Sequence, residues 1–190
     1  MKELVAVLEN YVPCCEQEEK DREVMLAFLK TGTHQLDRTN EALHFTASSW
    51  IVNPKRNAVL MIYHNIYRSW AWTGGHADGE ADLLSVALRE AQEETGIVHI
   101  RPLSTSPFSI ETLTVPGHIK RGKYVPSHLH LNVTYLLEAD DSDAIRIKAD
   151  ENSGVKWVPY DEVLTVVSEP WMIERVYGKL MEKLGVWKEE

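Results

Sequence analysis

Cysteine is nearly absent from this chain of 190 residues: the only two, Cys14 and Cys15, are adjacent. Neighbouring thiols offer neither a disulfide framework nor the spaced pairs of a structural zinc site, so a reducing compartment is the simpler expectation. Long apolar runs are missing too. The first, between Glu3 and Glu9, is too short for a signal-peptide core or a membrane span, and a cytoplasmic protein without membrane attachment is expected. Positive charge is scarce: 20 Lys and Arg stand against 29 Asp and Glu, a net charge of -9. That balance argues against non-specific binding to a nucleic-acid polymer or an anionic membrane. A phosphorylated ligand would then need local help, such as a metal ion.

What is present suits one compact domain with an added segment. Two helical patterns come first, near Glu3 to Asn10 and Glu18 to Lys30, the second carrying Met25, Phe28 and Leu29 at helical spacing. From Leu43 the character turns to β: HFTASSWIV, the turn residues NPKRN and AVLMIYH read as a hairpin. A strong helix is expected from Asp82 to Thr95, with Asp82 as N-cap and Gly96 as the stop. IVHIRPL, SIETLTV and HLHLNVTYLLEA look like further strands, and VPGHIKRGKYVP like a long exposed loop, a candidate lid. VKWVP should be a short strand, followed by a helical turn at Asp161 to Val167 and an amphipathic helix carrying Ile173, Val176, Tyr177, Leu180, Met181 and Leu184. Strands mixed with a central and a C-terminal helix imply an α/β/α sandwich with a mixed sheet. The expected division is an N-terminal helical segment over residues 1–40 and a catalytic domain over residues 41–190.

The chemistry concentrates in Gly74 to Ile97, GGHADGEADLLSVALREAQEETGI. Glu90, Glu93 and Glu94 stand at i, i+3 and i+4, so they cluster on one side of the helix, while Leu84, Ala87, Leu88 and Ala91 form a separate apolar stripe. Like charges at that spacing repel by a few tenths of a kcal/mol per pair unless a cation or solvent answers them. Magnesium accepts carboxylate oxygens, keeps several waters and bridges to phosphates. A solvated acidic helix face is the plain alternative for REAQEE alone. A double glycine, an acidic loop and a terminating glycine in register make the plain alternative less economical.

Taken whole, this stretch resembles the Nudix box: Gly, five residues, Glu, seven residues, then Arg-Glu-aliphatic-any-Glu-Glu-any-Gly-aliphatic. Arg89, Glu90, Glu93, Glu94, Gly96 and Ile97 match it, with Ala91 at the first aliphatic place. The first Glu departs: counted from Arg89 it should stand at Ala81, whereas Glu80 is correctly spaced from Gly74, and a Glu80 to Arg89 support pairing is put in question. The resemblance covers roughly Leu43 to Val167. It implies a hydrolase that cleaves a diphosphate bond in a small-molecule substrate with Mg2+ or Mn2+, and it favours a homodimer. It assigns Glu90 and Glu94 as metal ligands, with Glu93 as ligand or water-positioning group, the Gly74 carbonyl as a further ligand, and Glu151, before the strand of Trp157, as a downstream carboxylate.

Further candidates surround the box. His128 and His130 share one face of a strand, and with His76 of the glycine turn they could meet near the metal or the substrate, although single histidines are more often hydrogen-bonded surface residues. His44 and His118 carry less signal. Trp70 and Trp72 flank the entry to the turn, where a ring could stack on a base, yet alternate aromatics in a short strand are usually core. Lys120, Arg121 and Lys123 could attract phosphate or merely be solvated. Two other functions fit the pattern. An isopentenyl-diphosphate isomerase-like enzyme would use the histidines, but its chemistry needs an active-site cysteine, and both cysteines here lie in the N-terminal segment. A non-catalytic ligand sensor on the same scaffold often loses box carboxylates, whereas this chain keeps all three.

Overall fold

The computed structural model describes residues 1–31, 34–120 and 122–187. Helices α1 (Lys2–Asn10) and α2 (Glu16–Lys30) precede strand β1 (Leu43–Val52), the axis of the molecule. Along its whole length β1 runs parallel to β9 (His128–Ala139), from Leu43 opposite Leu129 to Val52 opposite Glu138. Its other edge is divided. β4 (Thr73–His76) pairs antiparallel with Thr46 to Ser49, while β2 (Ala58–His64) meets β1 in register at Val52 and Val59. The expected hairpin of β1 and β2 therefore holds at its turn only, and β2 then leaves to pair with β3 (Ser69–Ala71) and β10 (Asn152–Pro159). On the far side, β5 (Ile100–Pro102) and β6 (Ser109–Val115) share the outer edge of β9.

Alternation of side chains along β1 sends its residues into two cores. Phe45, Ala47 and Ile51 pack with Leu83, Val86, Ala87 and Ala91 of helix α3 (Leu83–Thr95) and with Leu4, Leu8, Met25 and Leu29 of the N-terminal helices. Trp50 and Val52 face a second cluster with Val176, Tyr177, Leu180 and Leu184. Those residues come from the C-terminal run. There a 3-10 turn (Tyr160–Glu162) leads into α4 (Val163–Val166), and α5 (Pro170–Met172), a π turn (Ile173–Tyr177) and α6 (Gly178–Val186) follow. A mixed sheet between two helical layers is the α/β/α sandwich that the element pattern implies.

Two features go beyond that pattern. The stretch read as an exposed loop contains a small hairpin, β7 (His118–Lys120) with β8 (Lys123–Val125), turned at Gly122 with φ 78° and leaving Ile119 and Tyr124 exposed. The N-terminal helices share the α3-side core and are also tied to the opposite layer. The fully buried carboxylate of Glu18 accepts from Tyr11 Oη at 2.7 Å and lies 3.2 Å from Lys179 Nζ and 3.0 Å from Lys183 Nζ. Lys179 in turn reaches Glu111 of β6 at 3.0 Å.

Candidate active site

Helix α3 begins and ends as its sequence dictates. Asp82 accepts from Ser85 N–H at 3.2 Å and from Ser85 Oγ at 2.6 Å, so one of the unpaired donors of the first turn is satisfied. Gly96 closes the helix at φ 73°, a left-handed conformation that favours glycine. Between these caps the apolar stripe faces β1, and the neighbouring stripe turns Glu90 and Glu94 toward β4.

β4 can receive them because it carries Gly74 and Gly75. A methyl group on Gly75 would fall inside contact distance of Glu90 Cδ, and one on Gly74 would meet Ser48 Oγ at 2.5 Å and Ala47 O at 2.7 Å. Gly75, Ala81 and Arg89 stand in the box spacing, which agrees with Glu90 resting on Gly75. Glu94 lies deeper, 3 % exposed, and accepts the Gly74 N–H at 2.9 Å. Burial pushes its carboxyl up to about 8; Glu151 and Glu90 add to the rise, and the Gly74 N–H and Lys148 offset part of it. Glu90 is also raised, by burial and then by Glu93, against the pull of Lys148 and Arg89.

The remaining carboxylates share one cation. Lys148 Nζ lies 3.0 Å from Glu93 and 2.9 Å from Glu151. Asn152 Nδ2 donates to the Glu94 carbonyl at 2.9 Å, fastening this loop to the end of α3. Sequence reasoning missed Lys148 and Asn152, since neither residue type signals a site by itself. A half-buried group of carboxylates with one shared lysine carries surplus negative charge, and the donor set of Glu90, Glu94 and Glu151 suits a hard divalent cation. Glu80 contributes otherwise: it accepts from Asp82 N–H at 2.9 Å, while Arg89 lies 3.6 Å from Glu90. Among the described residues no ion pair joins Glu80 to Arg89.

On the other face of β4 four imidazoles gather. His76 follows Gly75, and His44 stands opposite His130 in the β1–β9 register. Ring centroids are 5.1 Å apart for His44 and His76, 5.0 Å for His44 and His130, and 5.0 Å for His76 and His130. His128 stacks on His44 at 5.1 Å and approaches His130 with its Nε2 at 3.1 Å. Burial, reinforced by neighbouring histidines, pushes His76 down to about 2 and His130 to about 3, and burial lowers His44 as well. The strand face expected for His128 and His130 is present, and it meets His76. His44, which carried less signal, is at the centre, because its partner strand lies more than eighty residues away in sequence. His118 lies on β7 with its Nδ1 3.0 Å from the Pro116 carbonyl.

The tryptophans differ. Trp72 is 8 % exposed, its ring edge lies against Tyr177 at 5.5 Å, and its backbone N–H donates to Tyr177 Oη at 3.3 Å. Its ring is enclosed in the core, which leaves little surface for a ligand to stack on. Trp70 is half-buried, edge-on to Tyr63, with Lys156 Nζ 4.3 Å from its ring centroid. Lys120 and Lys123 face each other across the β7–β8 hairpin, and Arg121 lies outside the described residues. Cys14 and Cys15 are exposed in a groove with Lys179 and Glu182, beside α6.

Comparison with known proteins agrees with this architecture. The model of the NUDIX domain matches residues 42–184, and the chain belongs to the Nudix family. Among curated proteins, an m7GpppN-mRNA hydrolase, NUDT17 of Xenopus laevis, is 37% identical over 83 residues, covering 44% of this chain and 26% of that protein. The chain thus spans about a quarter of that relative's length. Among solved structures, a NUDIX hydrolase from Clostridium perfringens has a TM-score of 0.55 at 20% identity, covering 76% of this chain and 98% of that one. RenU, a Nudix hydrolase from M. smegmatis, has a TM-score of 0.53 at 18% identity, covering 76% and 88%. An Ap4A hydrolase of C. elegans has a TM-score of 0.50 at 18% identity, covering 74% and 94%. At those identities the structures establish the fold alone.

Proposed function

We propose that the chain is a metal-dependent pyrophosphohydrolase that cleaves the diphosphate of a nucleoside diphosphate derivative or a related compound. The observation that carries this reading is Glu94, a carboxylate almost removed from solvent, with Glu90 and Glu151 near it and two cations, Lys148 and Arg89, beside the group. Such an arrangement is costly unless a cation completes it. Glu90, Glu94 and Glu151 would hold Mg2+ or Mn2+, with the Gly74 carbonyl beside them. When bound, the cation neutralises phosphate charge and makes water a better nucleophile.

The rest falls to the chain itself. The Gly74 N–H fixes the Glu94 carboxylate, and Gly75 leaves room for Glu90. Lys148 holds Glu93 and Glu151 together, so Glu93 is a positioning or water-orienting residue at the rim. The net reaction adds water across one P–O bond of the anhydride and leaves two phosphorylated products. His76, His128 and His130, on the far face of β4, are proposed to contact the substrate. A panel of ADP-ribose, nucleotide sugars, oxidised nucleotides, Ap4A and a capped RNA, incubated with Mg2+ and with chelator, tests the proposal. Metal-dependent release of a phosphorylated product from at least one compound is expected. No turnover with either Mg2+ or Mn2+, alongside tight binding of a panel member, would replace it with the sensor function.

A further inference from the structure

Three of the four clustered histidines form a constellation that the hydrolase reading leaves partly unexplained. One ligand-capable ring nitrogen from each of His44, His76 and His130 lies within 4.8 Å of the other two. His44 is 4 % exposed and its Nε2 has no hydrogen-bond partner, although a buried imidazole nitrogen normally finds one. Its other nitrogen explains the orientation. His44 Nδ1 lies 3.0 Å from the Asn40 carbonyl. A carbonyl can only accept, so Nδ1 carries the proton and Nε2 presents a bare lone pair. That is the tautomer in which a metal-binding histidine is held, with the distal N–H anchored to a backbone carbonyl.

His128 is anchored in the same way, Nδ1 to the Pro126 carbonyl at 2.9 Å, and its Nε2 lies 3.1 Å from His130 Nε2. Since the Pro126 carbonyl accepts from His128 Nδ1–H, His128 Nε2 can accept in that contact from His130 Nε2–H, which leaves His130 Nδ1 free to coordinate. We propose that His44, His76 and His130 form a second metal centre, separate from the carboxylates, for a borderline divalent cation such as Zn2+, with His128 as the positioning residue of His130. Three imidazoles without a carboxylate select Zn2+, Co2+ or Ni2+ over Mg2+. A tetrahedral ion at about 2.0–2.1 Å from each nitrogen places the nitrogens about 3.3 Å apart, so modest ring rotations must close the present 4.8 Å limit. His76 and His130 are partly exposed, which leaves the fourth position open to water or to a phosphate oxygen.

Co2+ is the probe, because a nitrogen-ligated tetrahedral Co2+ absorbs strongly in the visible. The full chain is titrated with cobalt chloride in millimolar magnesium chloride, and bound cobalt is measured after gel filtration. One Co2+ per chain with a tetrahedral spectrum is expected. His76→Gln and His130→Gln should each weaken it by at least about 10-fold, the loss that removing even a supporting residue produces. Glu94→Gln should leave it within about 2-fold, because the imidazole site is separate. The proposal is overturned if wild type shows no such spectrum, if both histidine variants bind as wild type does, or if Glu94→Gln abolishes the uptake. Wild type and Glu94→Gln decide the matter even where a histidine variant fails to fold.

Discussion

Replacing Glu94 by Gln preserves the side-chain shape and an oxygen to accept the Gly74 N–H, which donates at 2.9 Å, but removes the ability to ionise. In the metal-free protein burial pushes this carboxyl from 4.5 to about 8. The native state therefore keeps a proton that the unfolded chain has released. The stability it contributes is fully present below pH 4.5 and is lost as pH rises toward 8. At about 1.4 kcal/mol per pH unit, the loss by pH 7 is about 3 kcal/mol. An amide N–H left without a partner would cost about 1–3 kcal/mol in return. Glu94→Gln in chelator at pH 7 should thus be no less stable than wild type, with an advantage of up to about 2 kcal/mol that disappears near pH 4.5.

Magnesium should reverse the order. Wild type should gain roughly 2.7 kcal/mol when the cation is at a hundredfold excess over its Kd, and the variant should lose most of that gain. For a chain of this size, 1 kcal/mol moves Tm by about 2–4 °C, so melting curves at pH 5 and pH 7, with chelator and with magnesium, resolve every step. An equal magnesium shift in both proteins would show that Glu94 is not a metal ligand, and a variant clearly less stable than wild type in chelator at pH 7 would show that its carboxyl is not held protonated.

The glycines of β4 should separate packing from site geometry. Gly74→Ala drives a methyl against backbone at Ala47 O, 2.7 Å away, and should cost about 1–3 kcal/mol of stability. Gly75→Ala meets the Glu90 side chain instead, and should lower magnesium affinity with little change in metal-free melting; isothermal titration and melting of both variants check the contrast. Glu18 tests the anchoring of the N-terminal helices. Burial opposes its charge, yet Lys179, the Cys14 N–H, Lys183 and Tyr11 together hold its carboxyl down to about 2. Its contribution is present above pH 4.5 and lost as pH falls toward 2. Glu18→Gln should cost about 3–5 kcal/mol at pH 7, as removal of one partner of a buried ion pair does. It should also flatten the acid limb of stability, and urea midpoints across that range would contradict this if both proteins lost stability in parallel.

Helix α3 was legible because its signals are local: Asp82 caps it, Gly96 stops it, and the spacing of Glu90, Glu93 and Glu94 follows from helical geometry. β9 was legible for the same reason, since apolar residues recur at every second position from Leu129 to Ala139, with Leu136 the one departure among the intervening polar positions. Which glutamate is buried was not, since the stripe is shared and only the Gly74 N–H, twenty residues away, singles out Glu94. The place of His44 depends on a parallel register with His130, and local periodicity carries no information about pairing over such a separation. Trp72 lies in the core because Tyr177 meets it from the last helical run. Lys148 looked like any loop lysine until the chain brought Glu93 and Glu151 to either side of it.

The carboxylates around β4 are proposed to carry a metal-dependent cleavage of a phosphoanhydride. The most direct measurement is the initial rate of product release from a diphosphate compound that wild type turns over, for wild type, Glu90→Gln and Glu94→Gln, in chelator and after magnesium is restored. Chelator should abolish the wild-type rate and magnesium should recover it, while each variant stays at least about 100-fold slower at the same magnesium concentration. A wild-type rate indifferent to chelator, or variants as fast as wild type, would show that these carboxylates do not carry the reaction through a metal.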